Sequence, residues 1–411
     1  MRRLGTRTIC TAAALAVAGV ALALAIDMAA APSAAADWPS FHGPNGNGIS
    51  DETDWKSDWS GGAPKQAWKK NVGTGYSMVA VVGDKLYTMG NANNTDTVWC
   101  LNAKTGDEIW KSEYACRSPK ANPGPRCTPT VDGGLVYTLS RAGDMRCMDA
   151  AKGDLKWQKR AREFGGKAGS WGFAGSALIV GDMVIFDVGT VVALNKTSGE
   201  VIWKTPGHKA GYATPAPITV DGKKLLATFN ADGLALLELA SGKELRLYPW
   251  KTSYDVNAPR PIYVDGKVFI CSGYGKGCGL VDVKAERMVY QKKIMASHFT
   301  TPILYKGLLY GIGGQAGAKA GVVCLDPATG EAKWSSKAVF TGGLMLADGK
   351  LIIQDGKGEL VIAEASPDGY KELARTKVLS GICWNMPVLS NGMIYCRNDQ
   401  GDMVAVDVSG K

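Results

Sequence analysis

The segment Cys100-Leu-Asn-Ala-Lys-Thr-Gly-Asp-Glu-Ile-Trp110 carries the pattern that decides the fold. An apolar strand end is followed by a short turn, a glycine and, four residues after that glycine, a tryptophan. The pattern recurs with the same spacing in residues 147–157, 193–203 and 324–334. Weaker copies carry other residues in the tryptophan position, namely Tyr290, Arg246 and Leu373. Such self-similarity at a fixed period is typical of a repeat architecture.

A tight turn between two apolar strands is the second marker of the repeat. Eight such turns occur at intervals of about 44 residues: Gly83-Asp84, Asp132-Gly133, Gly181-Asp182, Asp221-Gly222, Asp265-Gly266, Lys306-Gly307, Asp348-Gly349 and Asn391-Gly392. Glycine, aspartate and asparagine accept positive φ and therefore join antiparallel strands tightly. Four short strands in every 40 to 45 residues, roughly, are typical of a propeller blade.

The two ends of the repeat region predict how the ring closes. Strand-like sequence ends at Val408, so the last blade lacks an outermost strand. Residues 64–70 have the sequence of such a strand but no blade before them. Lending this strand to the last blade removes two exposed sheet edges. We therefore predict an all-β fold, an eight-bladed β-propeller closed by an N-terminal strand.

The recurring aromatic residue is interpreted as structural. A large aromatic side chain at one position of each blade fills the wedge between neighbouring sheets. The positions assigned to this docking role are Trp68, Trp110, Trp157, Trp203, Tyr290 and Trp334.

The Leu-Asp/Asn-x-x-Thr/Ser-Gly-Glu-x-x-Trp pattern resembles the tryptophan-docking repeats of pyrroloquinoline-quinone (PQQ) dehydrogenase propellers. It is similar also to their non-enzymatic relatives, such as the outer-membrane assembly factor BamB. The resemblance covers roughly residues 64–408. For an enzyme of this family it implies a quinone held between a tryptophan and a disulfide ring of two adjacent cysteines, with calcium and an aspartate base.

This sequence departs from the enzymatic members of the family. No two cysteines are adjacent, and the calcium ligands cannot be placed by motif. The three histidines, His42, His208 and His298, lack metal-ligand spacing, and no Cys-x-x-Cys occurs. We therefore assign no catalytic, cofactor-binding or metal-binding residue, while PQQ and calcium stay open as ligands.

The N-terminus predicts export. Arg2, Arg3 and Arg7 precede an apolar stretch, and Ala34-Ala35-Ala36 supplies the small residues of a cleavage site. We expect a signal peptide over residues 1–36, an N-terminal strap over 37–63 and the propeller over 64–411. An uncleaved membrane anchor is the alternative, because the apolar stretch approaches the ~20 residues that span a bilayer.

The segment Trp38–Gly48 looks like an N-terminal signature of secreted bacterial PQQ-like repeat proteins. Its expected role is to pack Trp38 and Phe41 onto the propeller edge.

Export also places the cysteines in an oxidising compartment, where some should form disulfides. The favoured pairs are Cys116–Cys127, which brackets a loop, and Cys271–Cys278, which flanks a hairpin turn.

Strand alternation places the blade connections and the second-to-third loops on one face. These loops are long and varied, and binding residues favour such loops. They carry a cluster of basic and aromatic residues that we predict to bind a partner: Arg117, Lys120, Arg126, Arg141, Arg160, Arg162, Lys167 and Trp171. An ordinary solvated surface is the alternative interpretation.

The sequence as a whole favours a non-catalytic, exported scaffold. We expect a periplasmic or cell-envelope monomer that binds a protein or peptide, and the resemblance adds outer-membrane protein assembly as a role. The net charge of +9 is too diffuse to predict nucleic-acid binding. A PQQ-dependent oxidoreductase and a carbohydrate-binding propeller are the two alternatives.

Overall fold

The computed structural model describes residues 36–410. The predicted signal peptide lies outside the described residues, apart from Ala36. Within residues 36–410, no helix is long and apolar enough to span a bilayer.

Eight sheets, blades 1 to 8 in chain order, make up the described fold; each has four antiparallel strands, and blade 7 gains a fifth, short parallel strand, Ile49–Ser50, from the strap. The strands of each blade, in sequence order, are Ala80–Val82, Lys85–Ala92, Thr95–Asn102 and Glu108–Ala115 in blade 1; Thr130–Asp132, Leu135–Leu139, Asp144–Asp149 and Leu155–Arg160 in blade 2; Leu178–Val180, Met183–Val188, Thr190–Asn195 and Val201–Lys204 in blade 3; Ala216–Val220, Lys223–Phe229, Gly233–Glu238 and Glu244–Pro249 in blade 4; Ile262–Val264, Lys267–Ser272, Gly277–Asp282 and Arg287–Lys292 in blade 5; Ile303–Tyr305, Leu308–Gly313, Lys319–Asp326 and Glu331–Phe340 in blade 6; Gly343–Ala347, Lys350–Gln354, Glu359–Glu364 and Glu372–Lys377 in blade 7; and Val388–Ser390, Met393–Arg397, Asp402–Asp407 and the early strand Lys65–Asn71 in blade 8. Two short 3-10 helices, Ala161–Phe164 and Ser253–Asp255, lie in connections between blades.

The ring closes as the sequence predicts. Lys65–Asn71 pairs antiparallel with Asp402–Asp407 and becomes the outermost strand of blade 8. Arg397, which is fully buried, connects this blade to blade 1 and to the segment before it by donating to the main-chain oxygens of Gly73, Ser77 and Met89. Closure therefore rests on a shared sheet and on a buried arginine at the same seam.

The predicted turns adopt the backbone conformation that their residues allow. Residue pairs with positive φ include Asp221-Gly222, Asp265-Gly266 and Asn391-Gly392. Each pair joins the first and second strands of its blade, so glycine, aspartate and asparagine occur where left-handed backbone is required. In blade 2 the strand continues through Asp132, and the turn is Gly133-Gly134.

Five of the six docking aromatics pack on the turn glycine of the next blade, whereas the indole N–H of Trp334 donates to the carbonyl oxygen of Ser366 in the corresponding turn of blade 7. A Cβ added to that glycine would lie 2.3–2.8 Å from the ring for the pairs Trp68/Gly106, Trp110/Gly153, Trp157/Gly199, Trp203/Gly242 and Tyr290/Gly330. The indole N–H of Trp157 also donates to the carbonyl oxygen of Lys196, at 3.0 Å. The repeat needs glycine at this turn because any side chain would displace the ring.

Blade 4 replaces this aromatic contact with an ion pair. Arg246 occupies the tryptophan position, and its guanidinium lies 3.5 Å from the carboxylate of Glu286. Glu286 takes the place of the turn glycine in blade 5 and has the same positive φ, 51°. The two substitutions therefore match: losing the ring removes the reason for having glycine.

The strap lies across one end of the central channel rather than on the propeller edge, which corrects the sequence-based expectation. Trp38 pairs with Val81 of blade 1. Further along, Ile49–Ser50 pairs in parallel with the innermost strand of blade 7. Between these points Arg260, just before blade 5, donates to the carbonyl oxygen of Gly46. Trp38 is 1% exposed, so it belongs to the core.

The nine cysteines of the described residues are buried free thiols, so neither favoured disulfide is present in this structure. Cys127 packs in the apolar cluster between blades 2 and 3, whereas the Cys116 thiol lies beside Asp96. These separate surroundings explain why the two loop cysteines are not joined. Cys271 and Cys278 lie opposite each other in register and share one apolar cluster without a bond.

Candidate functional site

A cavity of about 330 Å³ lies on the propeller axis. Phe41 and His42 of the strap line it from one side. Most of its other lining residues come from blade connections and second-to-third loops, for example Trp171, Gln315 and Trp384. Because the strap lies across the far end, the channel forms a pocket that is reached from the loop face.

A continuous series of rings surrounds the mouth of this cavity. Eight residues, which we call the aromatic arc, contact one another in order: Tyr212, Trp171, Tyr254, Tyr274, His298, Phe299, Trp384 and Tyr76. Neighbouring ring centroids lie 4.9–6.1 Å apart, within the range of favourable aromatic pairs. Tyr254 is 62% exposed, so the arc presents apolar surface to solvent.

Arg126 extends the arc at the Tyr76 end. Its guanidinium lies 5.3 Å from the centroid of the Tyr76 ring and donates to the carbonyl oxygens of Asn122 and Gly124, at 2.9 and 3.1 Å. Arg141 donates to the same Asn122 oxygen at 3.1 Å. Burial, with some repulsion from Arg141, lowers the pKa of Arg126 to about 10, so it stays charged at neutral pH.

The two histidines of the cavity are neutral at pH 7. Burial lowers the pKa of His298 to about 4, and burial together with the Arg260 charge lowers that of His42 to about 3. The main-chain N–H of Ala316 donates to His298 Nδ1 at 3.1 Å. The proton of the neutral ring is therefore on Nε2, which has no protein partner within the described residues and can donate to a ligand.

A second hollow of about 450 Å³ adjoins the cavity and shares Trp384 with it. Its walls include Phe340, Lys357, Lys377 and Ile382. The Lys357 ammonium lies 5.4 Å from the centroid of the Phe340 ring. We call this hollow the lysine groove. None of the described residues that line the cavity or the groove is acidic.

The structure brings together some of the predicted partner-binding residues. Arg126 and Trp171 line the cavity, and Arg141 adjoins it through Asn122. Arg160 lies further out and pairs with Asp144 at 3.4 Å. The remaining four are exposed side chains outside the lining of the cavity: Arg117, Lys120, Arg162 and Lys167.

Sequence reasoning missed most of the aromatic arc and the whole lysine groove. Tyr76, Tyr212 and Trp384 lie in blade connections, and Tyr274 lies in a second-to-third loop. Aromatic residues in these loops, counted around the ring, were the signal that could have identified them. A linear search favours the one stretch in which basic residues are dense.

The residues of the cavity do not fit the calcium–quinone site that the family resemblance implies. That site needs carboxylate ligands and an aspartate base, yet the described lining supplies none. No group of three or more histidine, cysteine, aspartate or glutamate residues within residues 36–410 could hold a metal ion. The donors that are present, one guanidinium, amides, hydroxyls and an imidazole N–H, suit recognition of an organic partner.

Fold and site together define a tryptophan-docked, PQQ-like eight-bladed propeller with a pocket lined by aromatic residues. The chain belongs to the family described as "Outer membrane protein assembly factor BamB", whose model matches residues 49–214, 94–336 and 318–411.

The chain is also similar to individual proteins of known sequence or structure. The chain is 26% identical over 250 residues to BamB of Burkholderia pseudomallei, a match covering 49% of this chain and 64% of that protein. The crystal structure of BamB from Moraxella catarrhalis superposes with a TM-score of 0.61 at 18% identity, covering 84% of this chain and 99% of that chain. Quinohemoprotein alcohol dehydrogenase from Comamonas testosteroni gives a TM-score of 0.69 at 14% identity, covering 92% and 81%. These two structural likenesses concern the fold alone.

Proposed function

We propose that this chain is a non-catalytic, exported scaffold that binds a protein partner on its loop face during outer-membrane protein assembly. The observation that carries the proposal is the aromatic arc with Arg126 around a pocket free of acidic lining residues. Tryptophan, tyrosine and arginine are the residue types that dominate binding hot spots. A rigid propeller holds them at fixed positions, which lowers the entropy lost on binding.

Membership of the BamB family supports the proposed role in outer-membrane protein assembly. The curated relatives are named outer-membrane protein assembly factors, a role that requires contact with other proteins. The N-terminal signal-like sequence supports export to the periplasm or cell envelope. The basic residues around Arg162 and Lys167 extend the proposed site outward from the arc.

Complementation of a deletion strain tests the proposal. In the bacterium that encodes this chain, deletion should lower the amount of folded outer-membrane β-barrel protein. The wild-type gene should restore it, and a Trp171→Ala/Trp384→Ala variant should not, because that change removes two anchors of the arc. Tyr263→Ala is the matched control, since Tyr263 is 37% exposed in the first strand of blade 5, beside the opposite-face turn.

Two results would contradict the proposed function. If deletion has no effect on β-barrel proteins, the proposed role in outer-membrane protein assembly is wrong. If the double variant restores these proteins fully, the aromatic arc is not the binding site. Circular dichroism of each purified variant, compared with wild type, separates a binding defect from a folding defect.

The predicted basic cluster has its own test. Replacing Arg141, Arg160 and Arg162 together by alanine should reduce rescue at physiological salt, because long-range attraction of an acidic partner is lost. Unchanged rescue would confine the site to the arc.

A further inference from the structure

We propose that the cavity and the lysine groove together bind an extended acidic peptide segment that inserts one aromatic side chain. This inference rests on the proposed function and specifies the chemistry of the partner. The two hollows have Trp384 as a common wall and both are lined by residues of the loop face, and we treat them together as one trough. A trough of this form suits a strand-like segment whose side chains alternate between pocket and solvent.

The positive side chains of the trough favour a peptide segment with negative charge. Arg126 stands at one end, and the exposed side chains of Lys357 and Lys377 stand at the other. The Lys377 ammonium donates to the carbonyl oxygen of Lys357 at 2.7 Å, and neither lysine has a carboxylate partner within the described residues. Both charges are therefore free to pair with acidic side chains.

Two carboxylates near the trough, those of Asp355 and Asp399, are buried and form no ion pair with Lys357 or Lys377. Asp355 is 1% exposed and accepts the main-chain N–H groups of Phe340 and Lys357. Asp399 is 5% exposed and accepts from the side chain of Gln400 at 2.9 Å. Both carboxylates keep their negative charge but are held inside by these donors, so the exposed charges that a bound segment would touch are the Lys357 and Lys377 ammonium groups.

The cavity selects an aromatic side chain. Its walls include Trp171, Tyr212, Phe299 and Trp384, and a volume of about 330 Å³ leaves room for a large side chain. Stacked and edge-to-face contacts add to the burial of an inserted ring. Two polar groups remain for the main chain or a polar ring atom: the unpartnered N–H of His298 and the buried Oδ1 of Asn385, which has no hydrogen-bond partner.

Fluorescence anisotropy with synthetic peptides and the purified full-length chain tests this inference. The probe is a fluorescein-labelled peptide in which glutamates flank a single tryptophan. Two control peptides replace the tryptophan by alanine or all the glutamates by lysine. We expect saturable binding of the probe, about tenfold weaker binding of the alanine peptide and no binding of the lysine peptide. Affinity should fall as salt is raised through physiological strength.

Variants locate the binding. Lys357→Glu/Lys377→Glu should lower the affinity for the probe by about tenfold or more. Because both side chains are exposed, the change leaves the core intact. Trp384→Ala should lower the affinity for the probe, but the binding that remains should still weaken as salt is raised. The matched control Lys284→Glu, an exposed side chain in a turn of blade 5, should bind as wild type does.

Equal binding of all three peptides, no binding of the probe, or an unchanged affinity of the double lysine variant would overturn the inference. Binding of a neutral oligosaccharide with no binding of the probe would do so too, in favour of a sugar site. Failure here leaves the complementation result unaffected, because that result does not depend on the chemistry of the bound segment.

Discussion

The tryptophan-docking position allows a prediction in which one site serves as the control for another. In blade 2, Trp157 is 8% exposed, packs on Gly199 and lies 6.1 Å from the Tyr137 ring. In blade 4, Arg246 occupies the same repeat position with a side chain that is 53% exposed. The same truncation to alanine should therefore have very different costs in the two blades.

The magnitudes follow from what each side chain contacts. Trp157→Ala opens a cavity between two blades and should lower the free energy of unfolding by about 3–5 kcal/mol. Trp157→Phe keeps a ring and loses the 3.0 Å hydrogen bond to Lys196, so it should cost about 1 kcal/mol from the bond. Arg246→Ala breaks an exposed ion pair and should cost no more than about 1 kcal/mol.

Urea unfolding followed by far-ultraviolet circular dichroism measures these differences, because the peptide backbone, and not the tryptophan that is removed, supplies most of the signal. The expected order of stability is wild type, Arg246→Ala, Trp157→Phe and Trp157→Ala, with the first two close together. A loss for Arg246→Ala as large as that for Trp157→Ala would refute the argument that the ring, rather than the position, stabilises the interface.

Two further perturbations test other parts of the structure. Replacing Arg397 by methionine leaves several buried carbonyl oxygens without donors, so we expect a loss of about 3 kcal/mol or more in the same urea assay. His208 Nδ1 and Nε2 lie 2.9 and 2.8 Å from the carboxylates of Asp232 and Glu244. Burial lowers the pKa of His208, but these two hydrogen bonds outweigh it and raise the pKa overall. The stability that wild type gains over His208→Asn should therefore be largest below pH ~6.5 and decline as pH rises through the raised pKa; a gain that grows with pH would contradict this assignment.

Much of the fold could be predicted because the same local sequence pattern recurs in most of the blades. A glycine four residues before an aromatic residue favours one low-energy arrangement, and so does a pair of residues with positive φ between two strands. The closure by a strand at residues 64–70 followed from counting strands, since a missing outer strand leaves an exposed edge, and the structure has this strand at Lys65–Asn71. Local sequence and global fold agree at these positions.

The strap and the candidate site were harder to predict because they depend on contacts between distant parts of the chain. Trp38 and Phe41 are apolar residues near the N-terminus, and nothing local says whether they pack on an edge or across the channel. Likewise, Tyr76 and Trp384 are 308 positions apart in the numbering and stack only because the ring closes. A single sequence shows which loops share a face, but not which of their side chains meet at the axis.

Site-specific photo-crosslinking in living cells tests the central claim most directly. A photoreactive phenylalanine analogue placed at Tyr254, in the exposed part of the aromatic arc, should crosslink to a protein of the outer-membrane assembly machinery. The same analogue at Tyr263 should give no such product. Crosslinking from Tyr263 alone, or from neither position, would contradict a partner-binding site at the mouth of the channel.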